Sequence, residues 1–173
     1  MTYQSHLVWA LAASAALYPL PRPASLEEGF VLAAWIILGA LGGLLPDIDH
    51  PHSKIGRLVP FLPTILFKTT GHRGATHSIL GVLIAGALTY AALYAGLGHA
   101  WAWLGAQALM VGYLAHLAGD FITNRGVPLL WPLAGRMGIS VTKTGSATER
   151  GMTAVVAFLG IGIGAASFMA PIL

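Results

Sequence analysis

Five apolar stretches, each long enough or nearly long enough to cross a lipid bilayer, dominate this chain. They lie at residues 3–20, 29–46, 79–97, 100–121 and 151–172. The hydrocarbon core of a bilayer is about 30 Å thick, and a helix of about 20 apolar residues spans it. Because lipid offers no hydrogen-bond partners, a spanning segment must satisfy its own backbone, as an α-helix does. The sequence therefore predicts an all-α, polytopic membrane bundle of about five transmembrane helices.

Charged residues are scarce, at 9% of the 173 residues, whereas 56% are hydrophobic. A soluble domain carries roughly 25% charged residues. We therefore expect residues 1–173 to form a single integral-membrane domain. The chain has no cysteine, which excludes disulfides and thiolate metal sites. Its net charge is +3, but the basic residues form no run, so we expect no nucleic-acid partner.

Two long connections join the second span to the third and the fourth span to the fifth. Each contains an apolar segment too short to cross, at residues 58–67 and 127–133. Such segments are typical of interfacial or re-entrant structure, with an ordinary buried loop as the alternative. Two pairs of glycines, Gly39 with Gly43 and Gly160 with Gly164, have the spacing that lets helices pack closely.

Three of the six acidic residues lie in short clusters that also contain histidine. The clusters read PDIDHPH at residues 46–52, GHRGATHS at residues 71–78 and HLAGD at residues 116–120. Ionisable groups beside membrane spans are costly in free energy and mark a functional site. Asp, Glu and His are also the ligands that suit zinc and similar divalent metals.

With five alternating crossings, all of these clusters fall on one side of the membrane. The shared side predicts one metal site, whose candidate ligands are His6, Asp47, Asp49, His72, His77, His116, Asp120 and Glu149. Eight of the nine basic residues share that side, and only Arg22 lies opposite. The positive-inside rule then places the site and the N-terminus in the cytoplasm and the C-terminus outside.

The spacing within each cluster leaves several roles open. His116 and Asp120 project from one helix face, where they can bind one metal or form a helix-stabilising pair. Asp47 and Asp49 repel each other unless a cation compensates, although one could simply form a turn. Glu149 could be a ligand, a general base or a first-turn helix residue.

Two further choices stay open. Either His72 or His77 could be the ligand from the second cluster. Arg73, between them, could bind a phosphate oxygen or contact lipid headgroups.

The strings LLPDIDHPHSKIGR, GHRGATHS and HLAGDFITNRGVPLLWP together resemble the YdjM-like family, described as LexA-binding, inner-membrane-associated, metal-dependent hydrolases. The three blocks come in the family's order, and the resemblance runs over most of the chain. The family is distantly similar to zinc-dependent phospholipase C and P1 nuclease. This similarity implies a helical site with up to three zinc ions that cleaves phosphate esters. The implied ligands are His6, Asp47 or Asp49, His72 or His77, His116, Asp120 and Glu149.

The expected function is that of a metal-dependent hydrolase in a bacterial or archaeal inner membrane, acting on a phospholipid or other lipid phosphate. We expect one to three divalent ions, zinc or alternatively manganese. Asp47, Asp49 or Glu149 would act as base or bridging ligand, and Arg73 would neutralise the phosphate in the transition state. One alternative is a non-catalytic membrane protein with a structural or regulatory metal. The other is a metal-ion transporter.

Overall fold

A computed structural model describes residues 1–19, 25–59, 61–70 and 73–169. Within these residues the chain forms five α-helices: α1 (Tyr3–Ala16), α2 (Leu26–Leu44), α3 (Leu62–Thr70), α4 (Ile79–Phe121) and α5 (Ala147–Met169). The same residues contain no β-strand, only two isolated bridges in the loop after α4. The predicted all-α membrane bundle is therefore confirmed as a fold class.

The long element α4 is a hairpin of two antiparallel helices that meet at Gly98. Gly98 has φ +75° and ψ 178°, which interrupts the helix. Glycine adopts a positive φ without the steric cost that a Cβ brings. The two arms, residues 79–97 and 99–121, then pack along each other, with Gly86 against Met110. These arms correspond to the predicted third and fourth spans.

In the described part of the chain, three helical segments are long and apolar enough to cross a membrane: residues 26–49, 79–121 and 147–167. Helix α1 is shorter than the predicted span at residues 3–20, because its 14 residues cover only about 21 Å. The chain is therefore a helical membrane protein, while the number of crossings stays a prediction.

Helix α1 lies between the others and contacts α2, α4 and α5. Both predicted glycine pairs face it. A Cβ added at Gly39 would lie 1.9 Å from Ser14 Oγ, and one added at Gly160 would lie 2.5 Å from Ala12 Cβ. Gly43 and Gly164 approach α1 at Ala10 and Ala15 in the same way. The small residues thus allow a short central helix to be enclosed by longer ones.

Helix α2 and the second arm of α4 come closest at Gly112, where an added Cβ would lie 1.7 Å from the carbonyl oxygen of Gly39. We expect Gly112→Ala to lower the melting temperature clearly, because overpacking a core costs about 1–3 kcal/mol or more. Gly29→Ala is the matched control, since nothing lies within 4 Å of its added Cβ. Thermal unfolding in detergent measures both. If Gly112→Ala and Gly29→Ala melted at the same temperature, the close contact at Gly112 would be contradicted.

The two long loops differ in structure. The first contains α3. Phe61, just before this helix, and Ile65 within it expose 80% and 57% of their surface, as residues of an interfacial segment would. The second forms turns at residues 128–133 rather than a helix, and it buries Val127 while exposing Leu133. Backbone hydrogen bonds to Phe121 and Ile122 hold this second loop against the end of α4.

Candidate metal centre

Five side chains from separate parts of the sequence meet at one end of the bundle: His6, Asp47, His77, His116 and Asp120. They come from the start of α1, the 3-10 turn after α2, the 3-10 turn before α4, and the last turns of α4. The end of one helix and the beginnings of others bring them together. Four of the five are at most 1% exposed, and only the Asp47 side chain is 24% exposed.

The five side chains form two overlapping groups that could each hold a metal ion. One group is His6, His116 and Asp120, and the other is Asp47, His77 and His116. Within each group the candidate ligand atoms lie within 4.8 Å of one another. Nitrogen and carboxylate oxygen donors of this kind suit zinc. The donor set therefore fits a divalent transition metal.

His116 provides the sharpest evidence for a cation. Its Nδ1 lies 2.8 Å from the carbonyl oxygen of Gly43, which can only accept, so Nδ1 carries a proton. In the neutral ring, the buried Nε2 then holds a lone pair and has no hydrogen-bond partner among the described residues. It faces Asp47 Oδ1 at 3.9 Å and Asp120 Oδ2 at 3.8 Å. A histidine anchored through its other nitrogen is typical of metal ligands.

The structure separates the roles of the two neighbouring aspartates. Asp47 Oδ1 lies 3.6 Å from His77 Nε2 and faces the cluster. Asp49 Oδ2 instead accepts hydrogen bonds from the Arg73 backbone N–H at 2.9 Å and from Thr76 Oγ1 at 2.7 Å. The same oxygen lies 3.4 Å from His77 Nδ1. Asp47 is therefore a candidate ligand, whereas Asp49 contacts the opposite nitrogen of the His77 ring.

His77 lies just outside the first arm of α4, in an environment that favours its charged form. Burial disfavours the charged imidazole, but the neighbouring carboxylates of Asp47 and Asp49 outweigh burial and raise the pKa of His77 above its usual value. A metal ion bound by His77 must therefore displace a proton.

Asp120 uses both of its oxygens inside the cluster. Oδ1 lies 3.3 Å from His6 Nε2 and also pairs with the amino group of Met1. Oδ2 faces His77 Nε2 at 3.7 Å as well as His116. The His6 ring stacks on the His116 ring, with centroids 3.5 Å apart and planes 7° apart. Asp120 thus connects the two candidate groups.

Arg73 lies inside the cluster, not at its rim. Its side chain is buried, with Nη2 2.7 Å from Asp120 Oδ2 and Nη1 donating to the carbonyl oxygen of Gly126 at 3.0 Å. In this arrangement Arg73 holds the Asp120 carboxylate in place. Its predicted role at a substrate phosphate stays a prediction.

Glu149 lies in the first turn of α5, which is one of its three predicted roles, and its partners belong to the start of α1. Its Oε1 accepts from the Thr2 backbone N–H at 2.8 Å and from Ser5 Oγ at 2.6 Å, and its Oε2 accepts from the Gly145 backbone N–H at 2.7 Å. It belongs to neither candidate metal group. Glu149 therefore ties α5 to α1, and its alternative roles as ligand or base stay predictions.

We expect Glu149→Gln to lower stability without changing the bound metal. The new amide N–H₂ would face N–H and O–H donors, and hydrogen bonds to a charged group contribute about 1.5–3 kcal/mol. Thermal unfolding and elemental analysis of the purified variant test this, with the exposed Glu27→Gln as the control. Loss of metal from Glu149→Gln at normal stability would support its predicted role as a ligand.

His72 lies outside the described residues, so the structure speaks only for His77. The sequence also gave no sign of three groups that hold the site in place. They are the carbonyl oxygens of Gly43 and Gly126 and the hydroxyl of Thr76. Backbone carbonyls leave no trace in a sequence. Only the small residue at position 43, already recognised as a packing position, hinted at a close approach.

The chain is similar to known bacterial membrane proteins. The family model described as YdjM inner membrane protein matches residues 1–172. The inner membrane protein YdjM of Escherichia coli (strain K12) is 34% identical over 87% of this chain and 76% of its own length. The uncharacterised protein YvsG of Bacillus subtilis (strain 168) is 34% identical over 87% of this chain and 86% of its own length. No solved structure matches the chain significantly.

Proposed function

The chain belongs to the YdjM inner membrane protein family, and we propose that it is a membrane-embedded, metal-dependent hydrolase of lipid phosphate esters. The observation that carries the proposal is the buried lone pair of His116 Nε2, which faces the carboxylates of Asp47 and Asp120. A cation between these electron-rich atoms would stabilise them, in addition to the Arg73 guanidinium that already pairs with Asp120.

Asp47, His77, His116 and Asp120 would hold the ion, with His6 on the other oxygen of Asp120. Because His116 has one available lone pair, it can serve only one of the two candidate groups at a time. A zinc ion bound there would supply Lewis-acid chemistry and lower the pKa of a bound water to about 7. One or two ions thus fit the donors of the described residues better than three.

The side chains around the ligands keep them in place. Asp49 fixes the ring of His77, the Gly43 carbonyl fixes His116, and Arg73 fixes Asp120. Asp47 is the only one of the clustered side chains with appreciable exposure. Water and substrate therefore approach from its side, and Asp47 can accept the proton of an attacking water.

The position of the centre favours a lipid substrate. It lies at the end of a bundle whose outer helices are apolar and exposed. Exposed apolar side chains of both long loops, such as Phe61 and Leu133, flank the same end. A phospholipid or polyprenyl phosphate can diffuse within the bilayer and present its phosphate at this level.

Hydrolysis is tested with purified protein in detergent, stripped of metal and then reloaded with zinc or manganese. We expect release of product from a phospholipid, a polyprenyl phosphate or a generic phosphodiester only after reloading. Asp47→Asn should bind metal more weakly and turn over more slowly. Absence of product above the stripped control on every substrate class would overturn the proposed hydrolase.

A second candidate is a non-catalytic membrane protein whose metal braces the bundle. Its support is the burial of His6, His116 and Asp120, each at most 1% exposed and together joining α1 to α4. In that case chelation should lower the melting temperature, and reloading should restore it without any hydrolysis. The same samples therefore distinguish the two candidates.

We also propose that the metal centre faces the cytoplasm, because eight of the nine basic residues belong to its side of the predicted topology. The chain has no cysteine, so single Cys substitutions report topology cleanly. In spheroplasts, a membrane-impermeant maleimide should label His99→Cys at the hairpin turn. It should label Lys143→Cys in the second long loop only after lysis. The opposite pattern would reverse the orientation.

A further inference from the structure

A cavity of about 180 Å³ opens in the loop between α4 and α5. Its lining includes Arg125, Arg136, Asn124, Ser140, Gly126 and Gly138. Two stretches of the loop form its walls. They are joined where the backbone N–H of Val127 donates to the Met137 carbonyl and the N–H of Met137 donates to the Val127 carbonyl, both at 2.9 Å. The cavity is therefore held by backbone pairing.

The segment around the cavity is positively charged. Residues 121–148 contain Arg125, Arg136 and Lys143 but no Asp or Glu. The backbone N–H groups of Arg125 and Gly138 also form no backbone hydrogen bond within the described ranges. Guanidinium groups combined with N–H donors in a small concavity are suited to a phosphate oxyanion.

Two contacts connect this cavity to the metal centre. Gly126 lines the cavity, and its carbonyl oxygen accepts from Arg73, whose other terminal nitrogen pairs with Asp120. Thr123 also lines the cavity, and its Oγ1 donates to the Asp120 backbone carbonyl at 2.8 Å. The cavity is thus separated from a predicted metal ligand by the Arg73 side chain.

The same loop has the surface of a membrane-interface segment. Leu133 is 90% exposed, Ile139 60% and Leu130 51%. Exposed apolar side chains next to cations are typical of segments that lie among lipid headgroups, where each cation also attracts anionic lipid.

We propose that this cavity is a second binding site, specific for a phosphate group, in which Arg125 and Arg136 are the principal charges. The proposal rests on the proposed function, because it assigns the residues that recognise the anionic headgroup of the substrate. It adds two phosphate-binding arginines to Arg73, whose own role at a phosphate stays a prediction. The phosphate can belong to a lipid headgroup or be free in solution.

The test measures binding with chelator-treated protein in detergent, so that neither metal nor turnover contributes. The two probes are inorganic phosphate and a short-chain phosphatidic acid, with short-chain phosphatidylcholine for comparison. Arg125→Gln combined with Arg136→Gln is compared with Arg57→Gln combined with Lys68→Gln. The control pair removes the same two charges from the other long loop. All four side chains are exposed, so both variants should keep the wild-type melting temperature.

We expect the Arg125→Gln/Arg136→Gln variant to bind phosphatidic acid at least about tenfold more weakly, because two charge-assisted contacts to the phosphate are lost. The control pair should change it by less than about twofold. Equal weakening for inorganic phosphate assigns the site to the phosphate group alone, and weakening for the lipid only assigns it to the headgroup. The site would be overturned if the Arg125→Gln/Arg136→Gln variant bound both probes as the wild type does. It would also be overturned if the control variant lost as much affinity.

The outcome is independent of the hydrolase test. A protein that binds phosphatidic acid through Arg125 and Arg136 but hydrolyses nothing would retain this site and lose the proposed function. If the protein is a metal-dependent hydrolase but both substitutions leave phosphatidic acid binding unchanged, the proposed function stands and the second site does not.

Discussion

Replacing Asp120 with Asn should strip the metal from the protein and abolish metal-dependent hydrolysis. The carboxylate belongs to the first candidate group, with one oxygen toward His6 and the other toward His116. A neutral amide of the same size cannot balance a divalent cation. Loss of an outer-shell partner already lowers metal affinity about 10–100-fold, so loss of a direct ligand should lower it by more than about 100-fold.

The same substitution should also destabilise the metal-free protein. Arg73 would keep its buried guanidinium but lose its carboxylate partner, and breaking a buried pair costs about 3–5 kcal/mol. Metal titration and thermal unfolding measure the two effects separately. Glu27→Gln, which removes one charge at the other end of the bundle, should leave both unchanged. Normal metal affinity in Asp120→Asn would remove Asp120 from the ligand set.

The second large effect is expected for His116→Phe. Phenylalanine keeps an aromatic ring against His6 but has no nitrogen to bind metal or to donate to the Gly43 carbonyl. Adding zinc should therefore raise the melting temperature of the wild-type protein and leave that of the variant unchanged. A ligand present at 100 times its Kd stabilises a protein by about 2.7 kcal/mol, so the difference should be easily measured.

His99→Phe is the matched control for this experiment. His99 lies at the hairpin turn of α4, at the opposite end of the arm that carries His116. Its Nδ1 is 2.9 Å from the Tyr90 hydroxyl. It should respond to zinc like the wild-type protein. If zinc stabilises His116→Phe as strongly as it stabilises the wild type, the lone pair of His116 has no part in metal binding.

The sequence predicted the helical membrane class and the end of the bundle where the polar residues meet. The first follows from the length of the apolar runs. The second follows from the positions of the polar clusters at alternate ends of successive apolar runs. Even the hairpin in α4 coincides with the predicted break between two spans, because Gly98 interrupts an otherwise continuous apolar helix. Helix α1 was predicted too long, since its C-cap at Leu17 ends it before Pro19.

The roles of individual residues could not be predicted in the same way. Asp47 and Asp49 are two positions apart on a 3-10 turn, and only the turn's orientation decides that Asp47 faces the cluster. The sequence left the roles of Arg73 and Glu149 open. Their actual partners are Asp120, a glycine carbonyl and the start of α1, which are distant in sequence. Contacts of this kind depend on packing, which charge patterns do not encode.

Elemental analysis of the purified, tag-free protein tests the central claim most directly. After equilibration with zinc and removal of excess, the wild-type protein should retain about one to two zinc ions per chain. His116→Phe and Asp120→Asn, prepared in parallel and shown to be folded, should retain almost none. A folded wild-type protein that retains no more zinc or manganese than these two variants would contradict the assignment of the cluster as a metal centre.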